Sequence, residues 1–161
     1  MGKVKGDRPE VLITWTELCE VVDQVRIRLN RDLIESAGLT LAENLALCQV
    51  AMSPKRRLRM VDLASNLVIA KSAVTKTVDR LEERGLLRRE RDPGDRRTVY
   101  AALTSDGEKI FDLAKVAYLE SVQHHFASRL DKSTLRQLRL LPEQVLGLGA
   151  RSDDQRPSDS R

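Results

Sequence analysis

The sequence has few aromatic residues and no long hydrophobic segment. One Trp, two Tyr and two Phe make up 3% of the 161 residues, whereas charged residues make up 32%. With so few aromatic rings, the core has to consist of aliphatic side chains on amphipathic helices, which predicts a mainly α fold. No apolar run approaches the roughly 20 residues that cross a bilayer, and the first ten residues lack the hydrophobic core of a signal peptide. We therefore expect a cytoplasmic protein without membrane contact.

Cysteines and enzyme motifs are also scarce. Cys19 and Cys48 are the only cysteines and lack CxxC spacing, so neither a disulfide framework nor a zinc site is expected. His124 and His125 are adjacent and point about 100° apart on a helix, which does not suit convergent metal ligands. The sequence contains no nucleophile elbow and no phosphate-binding glycine loop. We therefore expect no enzymatic activity, no cofactor and no metal.

The positive charge is concentrated in one part of the chain. The formal net charge is +4, but residues 55–97 contain 13 Lys and Arg against 7 Asp and Glu, whereas the remainder contains 15 against 17. A local positive surface beside a near-neutral remainder is typical of a protein that binds nucleic acid, because phosphate neutralisation supplies most of the non-specific affinity. The alternative is a charged face that only contacts solvent.

Hydrophobic periodicity predicts helices on both sides of this basic segment. The first covers residues 14–36, with a stripe formed by Trp15, Leu18, Val22, Val25, Leu29 and Leu33, and the second covers about 41–52. A third covers about 105–129, with Ser105 and Glu108 as a capping box. Leu135, Leu138 and Leu141 mark a further helix that Pro142 kinks or ends. Residues 1–11 are expected to form a flexible arm and residues 149–161 a disordered tail.

The terminal helices exceed what a compact DNA-binding domain needs. We expect residues 12–40 and 104–148 to form a helical dimerisation region and residues 41–103 to form the DNA-binding domain. A homodimer would place two copies of that domain side by side, which matches the symmetry of a pseudo-palindromic operator in double-stranded DNA. The alternative is a helical cap within a monomer.

Residues 60–103 contain short helical segments, a turn, an amphipathic helix and a basic β-hairpin, which is the order of a winged helix-turn-helix. In the helix over residues 70–84, an apolar side packs inward while a polar side faces outward. Short hydroxyls and a lysine suit the base edges of a major groove, whereas arginine on the flank suits phosphate. The predicted DNA contacts in and near this helix are Ser72, Thr75, Lys76, Arg80, Lys71 and Arg57. The alternative is a solvent-exposed face stabilised by ion pairs.

The hairpin pairs residues 86–91 with residues 98–103 around a turn that contains Pro93 and Gly94. We call residues 86–103 the wing. Arg96 and Arg97 are predicted at its tip, where a guanidinium can enter the negative potential of a narrow minor groove. Asp95 is predicted to support the wing by a charge-assisted hydrogen bond to an arginine.

These motifs together resemble the multiple antibiotic resistance regulator (MarR) family, over about residues 12–148. The resemblance rests on Arg80, Leu81, Gly85, Leu86, Leu87 and Arg88, on Asp95, Arg96 and Arg97, and on Leu103, Thr104 and Gly107. It implies a homodimeric bacterial transcription regulator that represses until a small ligand or an oxidant acts. It also implies that Arg97 enters the minor groove, while Ser72, Thr75 and Lys76 meet the major groove. Where the family often has Gly and a hydroxyl cap, residues 68–70 are Val, Ile and Ala.

The resemblance also suggests a cleft for a small aromatic or phenolic ligand between the dimer helices and the DNA-binding domain. The candidate lining residues are Trp15, Leu18, Val22, Leu45, Cys48, Phe111 and Tyr118, although such a stripe also suits an ordinary core. Two alternatives remain open. The first is a thiol-based redox-sensing repressor acting through Cys19, and the second is a winged helix that binds another protein.

Overall fold

The structure is a computed structural model that describes residues 9–67 and 70–147, apart from the side chain of Lys71. Its helices are α1 (Glu10–Ala37), α2 (Leu41–Ala51), α3 (Met60–Leu67), α4 (Lys71–Glu83), α5 (Ser105–His125), α6 (Lys132–Leu138) and α7 (Leu141–Leu146). Its strands are β1 (Arg57–Arg59), β2 (Leu87–Arg91) and β3 (Val99–Leu103), and short 3₁₀ turns cover Pro54–Arg56 and Ala127–Arg129. The predicted fold class, mainly α with a small β wing and terminal helices, is confirmed.

The three strands form an antiparallel sheet in the order β1-β3-β2. Leu87 pairs with Leu103 and Arg91 with Val99, so the predicted hairpin is confirmed nearly to the residue. Strand β1 was not predicted, because three residues with two arginines show no alternation long enough to distinguish a strand from a loop. It pairs Arg57 with Ala102 and Arg59 with Tyr100. The basic run before α3 is therefore the edge of the wing sheet.

One aliphatic core lies between α1, α2, α3, α4 and the sheet. Its largest fully buried side chains are Leu33, Leu39, Leu47, Leu63, Leu81, Leu87, Val50, Val74 and Val78. The predicted stripe of α1 divides in two within this chain. Leu29 and Leu33 are buried, whereas Trp15, Leu18 and Val22 are 63%, 41% and 47% exposed. Only the carboxyl-terminal half of α1 therefore contributes to the core of its own chain.

The junction between α4, β2 and α5 depends on two glycines. Gly85 has a φ of 69° and ends α4 with hydrogen bonds from its own N–H to Glu82 O (2.8 Å) and from Leu86 N–H to Leu81 O (2.8 Å), which together form a Schellman motif. At Gly107, a Cβ would lie 2.0 Å from the carbonyl oxygen of Leu86. Only glycine at position 107 therefore allows the start of α5 to approach the wing this closely.

The start of α5 differs from the predicted capping box. Thr104, not Ser105, is the N-cap, and its Oγ1 accepts a hydrogen bond from Gly107 N–H (2.9 Å). The same hydroxyl lies 2.6 Å from the carbonyl oxygen of Gly85 and donates to it. The prediction placed the cap one residue late because both positions carry a hydroxyl and only the packing against Gly85 distinguishes them.

The other helix ends agree with the predicted organisation in outline. Helix α1 begins at Glu10, before the predicted start at residue 14, and α5 ends at His125, before the predicted end at residue 129. The predicted break near Pro142 is confirmed, since α6 ends at Leu138 and Pro142 lies in the first turn of α7. Most of the predicted arm and all of the predicted tail lie outside the described residues. Over residues 9–67 and 70–147, no helix is both long and apolar enough to span a membrane.

Candidate nucleic-acid interface

Helix α4 has one buried face and one exposed face, as the sequence predicted. Val74 is 1% exposed, and Val78 and Leu81 are fully buried. Ser72, Thr75, Lys76 and Arg80 are exposed on the other side. Lys71 begins the helix, and its side chain lies outside the description. Ala70 precedes the helix without a side-chain cap, so residue 70 accepts hydrogen bonds from Ala73 N–H and Val74 N–H only through its backbone carbonyl.

Several cations near α4 and the wing tip have no acidic partner among the described residues. No described carboxylate lies within ion-pairing distance of Lys76, Arg80, Arg96 or Arg97. The predicted alternative, in which α4 is a solvent face stabilised by pairs between Lys76, Arg80 and Glu83, finds no such pair among the described side chains. Un-neutralised cations are what a surface needs to attract phosphate groups.

Two aspartates fix the backbone of the wing tip. Asp92 Oδ1 accepts hydrogen bonds from Gly94 N–H (2.8 Å) and Asp95 N–H (3.1 Å), and the first of these is the main cause that lowers the pKa of Asp92. Asp95 accepts from the backbone N–H of Arg97 (3.0 Å) and from Thr98 Oγ1 (2.9 Å). The structure therefore shows Asp95 supporting the turn through backbone and hydroxyl donors, rather than through the predicted guanidinium. A short aspartate favours these local donors because it reaches the backbone two residues on.

A groove of about 370 Å³ separates α4 from the wing. Thr75 lines it on the helix side and Arg97 on the wing side, and these two residues come from the two elements that the sequence assigned to DNA. The other lining residues are Arg59, Met60, Val61, Arg89, Thr98 and Val99. The side chain of Arg59 is itself held by both carboxylate oxygens of Asp62. The polar groups that border the groove are hydroxyls and guanidiniums, which suit a phosphate backbone, whereas Met60, Val61 and Val99 give it an apolar lining.

Arg89 joins the wing to α4 and was missed by the sequence reasoning. Its guanidinium contacts Asp79 Oδ1 (2.6 Å) and Glu82 Oε2, while its backbone N–H donates to Glu82 Oε1 (2.9 Å). The carboxylates are three residues apart on one helix, so both reach the same side. That spacing is visible in the sequence, but which arginine of β2 faces the helix depends on the strand register.

Arg57 lies apart from this groove. Strand alternation places it on the face of the sheet opposite Arg89, together with Tyr100 and Glu90. Its guanidinium carbon lies 4.5 Å from the centroid of the Tyr100 ring, and its Nη1 lies 3.5 Å from Glu90 Oε2. Both contacts occupy the guanidinium on that face, and Arg57 is not among the residues that line the groove with Thr75 and Arg97.

Within one chain, the predicted ligand-pocket residues fall into two groups. Trp15, Leu18 and Val22 are exposed on α1, whereas Leu45, Phe111 and Tyr118 pack against the core. Cys48 is half-buried, and its thiol lies 3.5 Å from Met52 Sδ. Burial is the main cause that raises the pKa of both Cys48 and Tyr118. Cys48 and Cys19 are both unpaired thiols.

The two histidines do not form part of a metal centre among the described residues. Their rings meet edge to face, with centroids 4.7 Å apart. His125 Nε2 lies 2.8 Å from Asp32 Oδ2, which links the last turn of α5 to α1. In residues 9–67 and 70–147, no group of three or more His, Cys, Asp or Glu side chains is arranged to hold a metal ion.

Comparison with known proteins gives one consistent family. The MarR family pattern matches residues 39–99. The transcriptional regulator HosA of Escherichia coli O111:H- is 38% identical over 80 residues, which are 50% of this chain and 58% of HosA. The uncharacterised regulator YhbI of Bacillus subtilis is 31% identical over 109 residues, which are 68% of this chain and 69% of YhbI.

Solved structures agree with these sequence matches. Sco3205, a MarR family transcriptional regulator from Streptomyces coelicolor whose structure was solved in complex with DNA, is 30% identical. The similarity covers 92% of this chain and 97% of Sco3205, with a TM-score of 0.81. The shared region therefore includes the terminal helices as well as α4 and the wing.

Proposed function

Because the chain belongs to the MarR family, we propose that it is a sequence-specific transcriptional regulator that binds double-stranded DNA as a homodimer. The observation that supports this most directly is the groove shared by Thr75 of α4 and Arg97 of the wing. Side chains on two separate elements can contact one DNA duplex together only when both elements face that duplex.

Each side of the groove suits a different part of the duplex. The exposed Ser72, Thr75 and Lys76 are short or flexible enough to let α4 lie in a major groove and bond base edges. Arg97, with Arg96 beside it, extends from a rigid turn and suits the negative potential of the adjacent minor groove. Arg80, which is exposed on α4, would meet phosphate. The strand between the two grooves would then follow the space between α4 and the wing.

The apolar residues left exposed on α1 and α5 support the homodimer. On α5, Leu113, Val116 and Leu119 are 50%, 56% and 68% exposed, in addition to the exposed stripe of α1. Burying both stripes against a second copy is favourable at about 25 cal/mol per Å² of apolar area. Two copies related by a two-fold axis would read half-sites roughly 10 bp apart in a pseudo-palindromic operator.

We further propose that the regulator represses transcription in the cytoplasm until a small aromatic or phenolic ligand binds. Phe111 and Tyr118 are half-buried against the core beside α2, where a ligand could displace side chains that hold the dimer helices against the DNA-binding domain. Trp15, Leu18 and Val22 would complete such a site only across the dimer. A ligand that binds more tightly to a dimer arrangement unsuited to DNA than to the DNA-binding arrangement would release the DNA.

Selection from a library of random-sequence duplexes tests the DNA-binding proposal. The full chain should enrich an inverted repeat, and fluorescence anisotropy should show affinity for it that falls steeply with salt. A shuffled duplex of the same composition is the control. Equal affinity for both duplexes, or no enrichment, would contradict the proposal and favour a winged helix that binds protein.

A further inference from the structure

The link between the wing and α4 is concentrated at Arg89. We infer that Arg89, held by Asp79 and Glu82, positions the wing so that Arg97 and the exposed face of α4 engage adjacent grooves of one duplex together. The inference rests on the proposed function, because it assumes that both elements contact DNA. It assigns a positioning role to three residues that are not themselves among the predicted DNA contacts.

The geometry restricts the wing at the point where it leaves the protein. Leu87 of β2 is 1% exposed and anchors the base of the wing in the core. Arg89 is two residues further along and contacts α4 through its guanidinium and its backbone N–H. Arg91, two residues beyond on the same face, is exposed. Arg89 is therefore the last residue of β2 with bonds to α4 before the strand continues to the wing tip.

The chemistry of the contact favours a fixed orientation over a flexible one. A guanidinium is a planar fork whose donors point in set directions, so two carboxylates one helical turn apart define its plane. The additional bond from Arg89 N–H to Glu82 fixes the strand backbone as well as the side chain. A small rotation of β2 about Leu87 would break these bonds and displace the wing tip.

The charge of the cluster argues against a direct role in attracting DNA. Asp79 and Glu82 contribute two negative charges and Arg89 one positive charge, so the three side chains together repel phosphate. A surface selected only for electrostatic attraction would lack the two carboxylates. The presence of the two carboxylates beside the groove is explained if they hold the wing in place through Arg89 and do not contact DNA.

A double-mutant cycle with DNA affinity as the readout tests this role. Arg89→Gln alone should weaken binding to the selected duplex by about ten-fold, whereas in an Arg96→Ala/Arg97→Ala background it should change affinity by less than about two-fold. The reason is that the position of the wing affects DNA affinity only while the wing carries Arg96 and Arg97. An equal loss in both backgrounds would mean that Arg89 contacts phosphate directly or stabilises the whole domain, and would overturn the inference.

Arg88→Gln is the matched control for this cycle. It removes the same charge from the same strand, on the opposite face, where Arg88 pairs with Glu90 (2.6 Å) and is 59% exposed. Its effect should add to that of the wing substitutions. If Arg96→Ala/Arg97→Ala alone leaves DNA affinity unchanged, the proposed wing contact is wrong. That outcome differs from one in which the effects of Arg89→Gln and of the wing substitutions simply add, which would contradict only the positioning role of Arg89.

The direction in which a second substitution changes DNA affinity gives an independent test. Asp79→Asn removes a negative charge near DNA, so electrostatics alone predicts tighter binding, whereas loss of the Arg89 contact predicts weaker binding. Glu83→Gln is the control, because it removes the same charge from α4 at a residue without an ion pair to the described part of the chain. Weaker binding for Asp79→Asn with unchanged or tighter binding for Glu83→Gln supports the inference. Tighter binding for both would overturn it.

Discussion

Arg84 donates a hydrogen bond from Nη1 to the carbonyl oxygen of Gly38, over 2.9 Å. The bond joins the end of α4 to the end of α1, although the two residues are 46 positions apart. The same nitrogen lies 3.6 Å from Glu43 Oε2, and Glu43 is only 6% exposed. Helix α4 is therefore tied to the junction of α1 and α2 through Arg84, and to the wing through Arg89.

Replacing Arg84 should destabilise the domain measurably. Arg84→Ala removes the bond to Gly38 and leaves the buried Glu43 without its cation, so the free energy of unfolding should fall by about 1 kcal/mol after allowance for the partial exposure of Arg84. Urea denaturation measures this change. Arg88→Ala, which breaks an exposed ion pair with Glu90, should cost less than about 0.5 kcal/mol. Equal losses would show that Arg84 acts only as a surface charge.

Gly107 should not tolerate a larger side chain. In Gly107→Ala the new methyl group meets the carbonyl oxygen of Leu86, so α5 has to move away from the wing, at a cost of about 1–3 kcal/mol in unfolding free energy. Thermal or urea unfolding measures this. The control is Gly94→Ala in the wing turn, where the nearest atom to a Cβ is Asp92 Oδ1 at 3.4 Å, an ordinary van der Waals distance. A neutral Gly107→Ala would contradict the close approach.

Much of the fold was predictable because its signals are local. The spacing of Val74, Val78 and Leu81 identified α4, and Pro93 with Gly94 identified the wing turn. Three features depended on contacts between distant segments and were not predictable. These are the strand at Arg57–Arg59, the N-cap at Thr104, and the contact between Arg89 and α4. The same limit applies to the candidate site, where Arg57 has a basic sequence context but lies on the other face of the sheet.

The contact between α1 and the last turn of α5 should make the free energy of unfolding depend on pH in the acidic range. Asp32 Oδ2 accepts a hydrogen bond from Ser121 Oγ (2.6 Å) and lies 2.8 Å from His125 Nε2. The Ser121 bond, opposed by partial burial and aided by His125, lowers the pKa of Asp32 below its usual 3.8. A lowered carboxyl pKa stabilises the fold above the unfolded-state pKa, and this stabilisation is lost as pH falls through the folded-state pKa.

Asp32→Asn should therefore be less stable than the wild type at neutral pH, and the difference should shrink in acid. Urea unfolding between roughly pH 7 and pH 3 measures the difference in unfolding free energy at each pH. Asp112→Asn, at an exposed position of α5, should show a small difference that does not vary in this way. A constant difference for Asp32→Asn would contradict the assigned contact.

The exposed part of α1 should control the oligomeric state. Trp15→Asp places a charge in the apolar stripe, so the proposed dimer should dissociate at concentrations where the wild type remains dimeric. Sedimentation velocity measures the change. Met52→Asp is the control, since Met52 is also strongly exposed (71%) but lies at the end of α2. Wild-type behaviour of Trp15→Asp, or dissociation of both variants, would contradict a dimer formed through α1.

Helix α4 and the wing are proposed to read adjacent grooves of one duplex. Footprinting of the full chain on its selected duplex tests this proposal most directly, with methylation of guanine N7 reporting the major groove and hydroxyl radicals reporting the minor groove. Two patches of major-groove protection about one helical turn apart are expected, each with adjacent minor-groove protection. Arg96→Ala/Arg97→Ala should lose the minor-groove protection and keep the major-groove protection. Identical footprints for the two proteins, or protection confined to one groove in the wild type, would contradict this mode of DNA binding.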